Sequence, residues 1–327
     1  MPSIARRLVL AAATVAPLLL AAPTPGIAAA IGELRMDWAF YNPVSLVLKD
    51  QGLIEAAFAE DGIGVRWVQS HGSNKALEFL SADAIHFGST AGAAALVGRI
   101  NGNPIKSVYV YSRPEWTALV TGADSGIESV ADLAGKAVAV TRGTDPHIFL
   151  MRALADAGLS DRDVRFVLLQ HADGRAALLR GDVDAWAGLD PMMASAELED
   201  DARLFFRKPE ANTWGILNVR EEFAAEHPEF IERVLAVYEE ARLWALEHPE
   251  ELAELLAREA RIPIEVAKKQ LEERTELTHN RIGAEQRASI LEAGLALQKA
   301  GVVEASVDVE AMVDSLLDPR FSAALAN

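Results

Sequence analysis

The 327-residue chain contains no cysteine. That absence removes thiolate catalysis, disulfides, cysteine-bound zinc and a lipid-bearing cysteine anchor from consideration. Positive charge is scarce as well: 31 Lys and Arg stand against 48 Asp and Glu, a formal net charge of -17. Nucleic acid and anionic lipid are therefore poor partners, and an anionic ligand would have to be captured by local dipoles and a few cations. The chain has no G-x-S-x-G elbow, no H-E-x-x-H helix and no Walker sequence, so the common signatures of hydrolase, metalloprotease and nucleotide-binding sites are missing. No fixed-period repeat and no low-complexity linker occurs. What remains is a chain that is half hydrophobic and a quarter charged, normal for a globular protein and long enough for two ordinary domains.

Residues 1–30 read as a signal peptide and not as part of the fold. Arg6 and Arg7 form a basic start, Leu8–Leu20 is an apolar run, Pro23 and Pro25 break it, and Ala28-Ala29-Ala30 fits a small-residue cleavage site. The run is short for a spanning helix, and nothing later approaches one. An exported, acidic, periplasmic protein cleaved near Ala30 is the expectation.

The stretch Ala134–Leu150, AGKAVAVTRGTDPHIFL, carries most of the local information. Ala137–Thr141 reads as a buried strand, and Gly143 frees the backbone. Thr144 or Asp145 is a good N-cap, with Pro146 in the first helical turn. Apolar residues then recur at helical spacing until Gly158 stops the helix. A helix start placed just after a strand presents unpaired N–H groups and a positive dipole end, which suits an anion. The same pattern recurs upstream. Strands at Leu34–Phe40, Val65–Gln69 and Ala84–Phe87 each run into small polar residues: Asn42, Ser70-His71-Gly72 and Gly88-Ser89-Thr90. Ligands of open α/β sheets bind outside such strand ends.

Further strands are expected at Lys106–Tyr111, Trp116–Thr121, Val164–Leu168, Val183–Gly188, Arg203–Phe206 and Trp214–Val219, with a helix at Gly174–Arg180. From Glu221 onward the chain turns helical, with consecutive Glu-, Ala- and Leu-rich segments at Pro228–Glu247, Pro249–Glu259, Pro263–Thr275, Ala284–Ala300 and Val309–Leu317. Their charged runs read as solvated faces.

Three stretches in this order, GSTAGAAAL (Gly88–Leu96), the Ala134–Leu150 segment and GDVDAWAGLDPMM (Gly181–Met193), resemble the periplasmic substrate-binding proteins of ABC importers for aliphatic sulfonates and taurine, a group related to the nitrate-binding proteins. The resemblance implies an α/β chain with the two-lobed type II periplasmic binding fold, a hinge between the lobes and a helical C-terminal region. Lobe 1 would comprise 31–112 and 214–327, and lobe 2 would comprise 113–213. It implies a monomeric, non-enzymatic receptor without cofactor or metal, which holds a small organic anion between the lobes and delivers it to an inner-membrane permease. The ligand contacts it implies are Asn42, Ser70, His71, Gly72, Ser89, Thr90, Thr144, Asp145, His147 and Asp190, with Trp214 as an aromatic wall. Arg113 is a further candidate, either for an anion or for a hinge salt bridge. His71 and His147 read more readily as capping or packing residues than as ligand contacts.

The chain departs from the common pattern at Leu189, often a bulkier residue in the family, and at Met192-Met193, often aromatic, so a softer pocket wall is expected. Other readings are a receptor for nitrate, a pyrimidine or an aromatic carboxylate, and a cysteine-free periplasmic enzyme on the same fold, using His71 or His147 with Asp145 or Asp190.

Overall fold

The computed structural model describes residues 31–325, and the expected signal peptide lies outside them. Eleven strands form two separate sheets among the described residues. Strands β1 (Glu33–Trp38), β2 (Gly64–Gln69), β3 (Phe87–Ala91), β4 (Ile105–Pro114), β10 (Gly215–Arg220) and β11 (Thr275–Glu276) make one sheet, in the order β11-β4-β10-β3-β1-β2. Strands β5 (Leu119–Thr121), β6 (Ala137–Val140), β7 (Arg165–Leu168), β8 (Ala185–Ala187) and β9 (Arg203–Phe206) make the other, in the order β7-β6-β8-β5-β9.

Both sheets are mixed. Strand β1 runs parallel to β2 and β3, and β6 runs parallel to β7 and β8, as βαβ crossovers require. Strand β10 enters antiparallel between β3 and β4. The chain thus leaves the first sheet after β4, builds the second, and returns as β10. Most of its remaining length is helical, with helices at Pro228–Glu247, Pro249–Ala260, Ile264–Arg274 and Ala284–Lys299 close to where the pattern places them.

Burial follows the layering of each sheet. The short strands β6 and β8, Ala-Val-Ala-Val and Ala-Trp-Ala, are wholly buried, because helices cover both faces of their sheet. The C-terminal helices bury Ile231, Val234, Leu235, Tyr238, Leu252 and Leu256 against the first sheet's core, so that region extends the first core instead of forming its own.

One boundary moves. The sequence places a strand at Ala84–Phe87 followed by a polar loop, whereas β3 spans Phe87–Ala91 and contains Gly88, Ser89 and Thr90. The segment becomes a strand because β10 pairs with it, and the packed Leu80 keeps Gly88 small. Gly215 and Ile216 pair with Ala91 and Thr90, and a Cβ on Gly88 would lie 2.7 Å from Leu80 Cδ1. Similarly, the helix expected at Gly174–Arg180 starts at His171.

Candidate functional site

The helix that follows β6, Asp145–Asp156, begins as the sequence suggests, with Thr144 in the N-cap position and Gly143 at φ +80°. Its first residue is committed to the structure. The buried Asp145 carboxylate accepts from Trp116 Nε1 at 2.9 Å, from Thr213 N at 3.0 Å and from Thr213 Oγ1 at 2.9 Å. Trp116 and Thr213 lie on the two segments that cross between the sheets, so one carboxylate ties both crossings together. Burial raises its pKa, opposed by these three bonds. Thr144 Oγ1 donates to Thr141 O at 2.7 Å.

Beside this junction lies a cavity of about 540 Å³, walled from both sheets. The first sheet contributes Phe40 and Tyr41 after β1, and Ser70 and His71 after β2. It also contributes Lys75 and Phe79 on the helix Ser73–Ser81. From the second come Gln170, His171 and Arg175 at the start of the helix His171–Arg180, and Leu189–Met192 after β8. Ala260, at the end of the helix Pro249–Ala260, and Ile262 just after it complete the wall. A small neighbouring cavity shares Tyr41, His171 and Leu189 and is closed by Gly72, Thr144 and Asp145.

Two helix N-termini, those of Ser73–Ser81 and His171–Arg180, therefore meet at the cavity from opposite sides, each bringing first-turn N–H groups and the positive end of a dipole. Among the described residues, Ser70 Oγ, both ring nitrogens of His171 and Arg175 Nε are buried there without a formed hydrogen bond, Ser70 standing beside the Asp37 carboxylate and the Tyr41 hydroxyl. Orphaned buried donors of this kind are uncommon in folded proteins and mark a place where another molecule supplies the bond. Gly72 sits between Ser70 and His171 at φ +137°, and a Cβ there would stand 2.8 Å from Asn74 Oδ1 and 3.1 Å from His171 Nε2. Only glycine fits.

The charges around the cavity are already paired. Lys75 bonds Glu78 at 2.6 Å, and Arg175 bonds Asp200 at 2.5 Å and Glu199 at 3.4 Å. Asp190, 1 % exposed, meets Arg274 from the helix Ile264–Arg274 at 3.2 Å and 3.3 Å, and Arg274 also holds Glu197. Asp190 Oδ1 further accepts from Ala194 N at 2.9 Å, fastening the start of the helix Met192–Glu199. Desolvation pushes the Asp190 pKa up to about 6 despite the arginine.

The candidate residues divide by position. Ser70, His71 and Asp190 line the main cavity, and Gly72, Thr144 and Asp145 line the small one. Asn42, Ser89 and Thr90 stand behind the wall in a buried network. Asn42 Nδ2 donates to Ser89 Oγ at 2.7 Å, Ser89 donates through N and Oγ to Asp37 at 2.8 Å each, and Asn218 Nδ2 donates to Thr90 Oγ1 at 2.8 Å. His147 packs edge-on against Phe166, with its pKa lowered to about 4 by burial and by Arg142. Arg113 and Trp214 are elsewhere. Arg113 lies over the Trp214 ring at 5.2 Å and reaches Glu276 at 3.9 Å, while Trp214 packs with Val110, Ile216 and Ile282. The sequence reading missed His171, Arg274 and the apolar wall of Phe40, Phe79 and Ile262. The signal for His171 was the Asp173 that follows it, an acidic residue fitting a first helical turn.

The NMT1/THI5-like family model matches residues 57–252, which include most of both cavity walls. The chain belongs to the NMT1/THI5-like family. It is similar to an aliphatic sulfonates-binding protein of Escherichia coli, with 31 % identity over 245 residues, or 74 % of this chain and 76 % of that one. Among solved structures it resembles the alkanesulfonate-binding protein SsuA from Xanthomonas axonopodis pv. citri bound to MOPS. The identity there is 25 % and the TM-score 0.78, covering 87 % of this chain and 99 % of the other. The periplasmic aliphatic sulphonate-binding protein SsuA from Escherichia coli superposes with a TM-score of 0.73 at 27 % identity, covering 89 % and 93 %. This NMT1/THI5-like chain therefore has the periplasmic binding protein fold, with its helical C-terminal region added to the first sheet's side.

Proposed function

We propose that this protein is the periplasmic solute-binding component of an ABC importer, that it captures an organosulfonate in the cavity between the two sheets, and that it has no catalytic role. The observation that carries this is the pairing of two helix N-termini with unpartnered, buried Ser70 and His171 in one cavity of about 540 Å³. A sulfonate is ionised at every physiological pH and spreads its charge over three oxygens. Helix dipoles, a hydroxyl and a buried imidazole hold it without a permanent counter-charge, provided its oxygens are hydrogen-bonded. The paired state of Lys75, Arg175 and Arg274 agrees with that mode of capture.

The head group sits at the Ser70–Gly72 and His171 end, and the tail runs along Phe40, Phe79, Leu189, Met192 and Ile262. A cavity of this volume suits a ligand with a substantial organic tail and is far larger than nitrate requires. Since the Asp190 carboxylate is neutralised by Arg274, the tail it faces is uncharged, and a ligand ammonium finds no free carboxylate there. The segments 31–112 with 214–327 and 113–213 act as the two lobes, moving about the crossings that Asp145 ties together. Closure is what the permease senses, and the receptor works as a monomer.

Thermal unfolding of the exhaustively dialysed protein with saturating 1-hexanesulfonate, taurine, nitrate and hexanoate tests this. A ligand at about a hundred times its Kd stabilises by about 2.7 kcal/mol, several degrees in Tm. Hexanesulfonate should raise Tm well beyond the other three. A larger rise with nitrate or with hexanoate would assign the receptor to that solute instead.

A further inference from the structure

On the reading that this cavity holds an anion, we infer that His171 is a specificity-determining contact of the ligand's head group and that it takes up a proton when the anion binds, so that capture is tighter in acid. His171 is 1 % exposed, opens the helix His171–Arg180, lines both cavities, and has no partner on either ring nitrogen among the described residues. A buried imidazole with both nitrogens unused is costly unless a ligand completes it. Its place beside Gly72 brings the ring to the start of the helix Ser73–Ser81, so the imidazole and two helix dipoles address the same space from both sheets.

In the empty cavity burial holds the ring neutral, with a pKa lowered to about 3. An anion at hydrogen-bond distance reverses this, because an opposite charge in a desolvated site favours the imidazolium. The other charged groups around the ring are already compensated. On its own helix Arg175 is held by Asp200 and Glu199, across the cavity Lys75 is held by Glu78, and the Asp145 carboxylate is held by Trp116 and Thr213. Asp190 is neutralised by Arg274, His71 is exposed on the loop after β2, and Tyr41 hydroxyl donates to Ser89 O at 3.1 Å. His171 is thus the buried titratable group at the cavity with no compensating partner of its own among the described residues.

The test is calorimetric titration with 1-hexanesulfonate and with inorganic sulfate across about pH 5 to pH 8, in sulfonate-free buffers of different ionisation heat. The expected result is net proton uptake, and an affinity for hexanesulfonate that falls about tenfold or more from the acid to the alkaline end. His171→Gln should flatten this slope, while His248→Gln, a partly exposed histidine that pairs with Glu251 away from both cavities, should retain it. Should His171→Gln fail to fold, proton uptake by the unaltered protein and the NMR shift of the His171 ring on adding hexanesulfonate decide. Binding without proton uptake, or a slope that survives in His171→Gln, overturns the inference and leaves the sulfonate receptor standing. Absence of binding by either anion at every pH overturns both.

Discussion

Arg274→Met isolates the strongest electrostatic commitment at the cavity wall. In the native protein Asp190 and Arg274 are each about 1 % exposed on their side chains and lie 3.2 Å apart. Removing the guanidinium leaves a buried carboxylate with only the Ala194 N–H, and breaking such a pair costs about 3–5 kcal/mol. The cost depends on pH in a defined direction. Asp190 in the folded protein titrates near 6, above its ordinary value of 3.8, so its charged form is already disfavoured by folding. Its contribution to stability is fullest below about pH 4 and declines as pH rises through 6. Without Arg274 the carboxyl moves further up and stays protonated to higher pH. Arg274→Met should therefore be nearly harmless at about pH 4 and most damaging above about pH 7. Asp190→Asn added to it should recover most of the loss, because no charge is then left buried. Urea unfolding of both single variants and the double variant at several pH values measures this cycle. A loss below about 1 kcal/mol at neutral pH, or one equal at pH 4 and pH 7, would refute the reasoning.

Asp145→Ala should lower stability by about 3 kcal/mol or more in urea titrations, since it strands the Trp116 N–H and both Thr213 donors. Thr90→Ala should cost about 1 kcal/mol through its lost bond to Asn218 while moving ligand affinity by less than about threefold, read by calorimetry. Asp37, buried without a cation and pushed up to about 6 by desolvation, makes stability fall as pH rises from about 4 to 6. Asp37→Asn should remove about 3 kcal/mol of that slope in chemical denaturation. Gly72→Ala should weaken ligand binding more than tenfold at equilibrium dialysis, because its Cβ would press on Asn74 and His171 at a backbone angle only glycine adopts easily.

Local features of this fold are written into the sequence, and long-range ones are not. The Gly143–Pro146 turn and the start of its helix follow from backbone chemistry within a few residues, and the C-terminal helices follow from apolar spacing, so both are readable directly. Ser89 and Thr90 look like loop residues because small polar side chains usually mark turns. Only the arrival of β10 from more than 120 positions away turns them into buried strand residues. Asp190 presents the same difficulty from the other side. As an Asp-Pro pair it reads as a helix cap or ligand contact, and its Ala194 bond is such a cap, but its arginine lies 84 positions downstream on a helix that reads as solvated. The candidate site is accordingly half legible: Ser70, His71, Gly72 and Asp190 follow strand ends that can be recognised locally, whereas His171, Phe79 and Ile262 join them only through tertiary packing.

The central claim is that the cavity between the sheets binds a sulfonate through two helix N-termini and buried donors, with no permanent cation set aside for it. Calorimetric titration of ligand-stripped protein with 1-hexanesulfonate, and with hexanoate as its carboxylate analogue, tests this most directly. The account predicts one-to-one binding of the sulfonate, at least about tenfold tighter than the carboxylate and lost together with the Ser70 hydroxyl in Ser70→Ala. Equal affinity for the two head groups, or sulfonate binding untouched by Ser70→Ala, would contradict it.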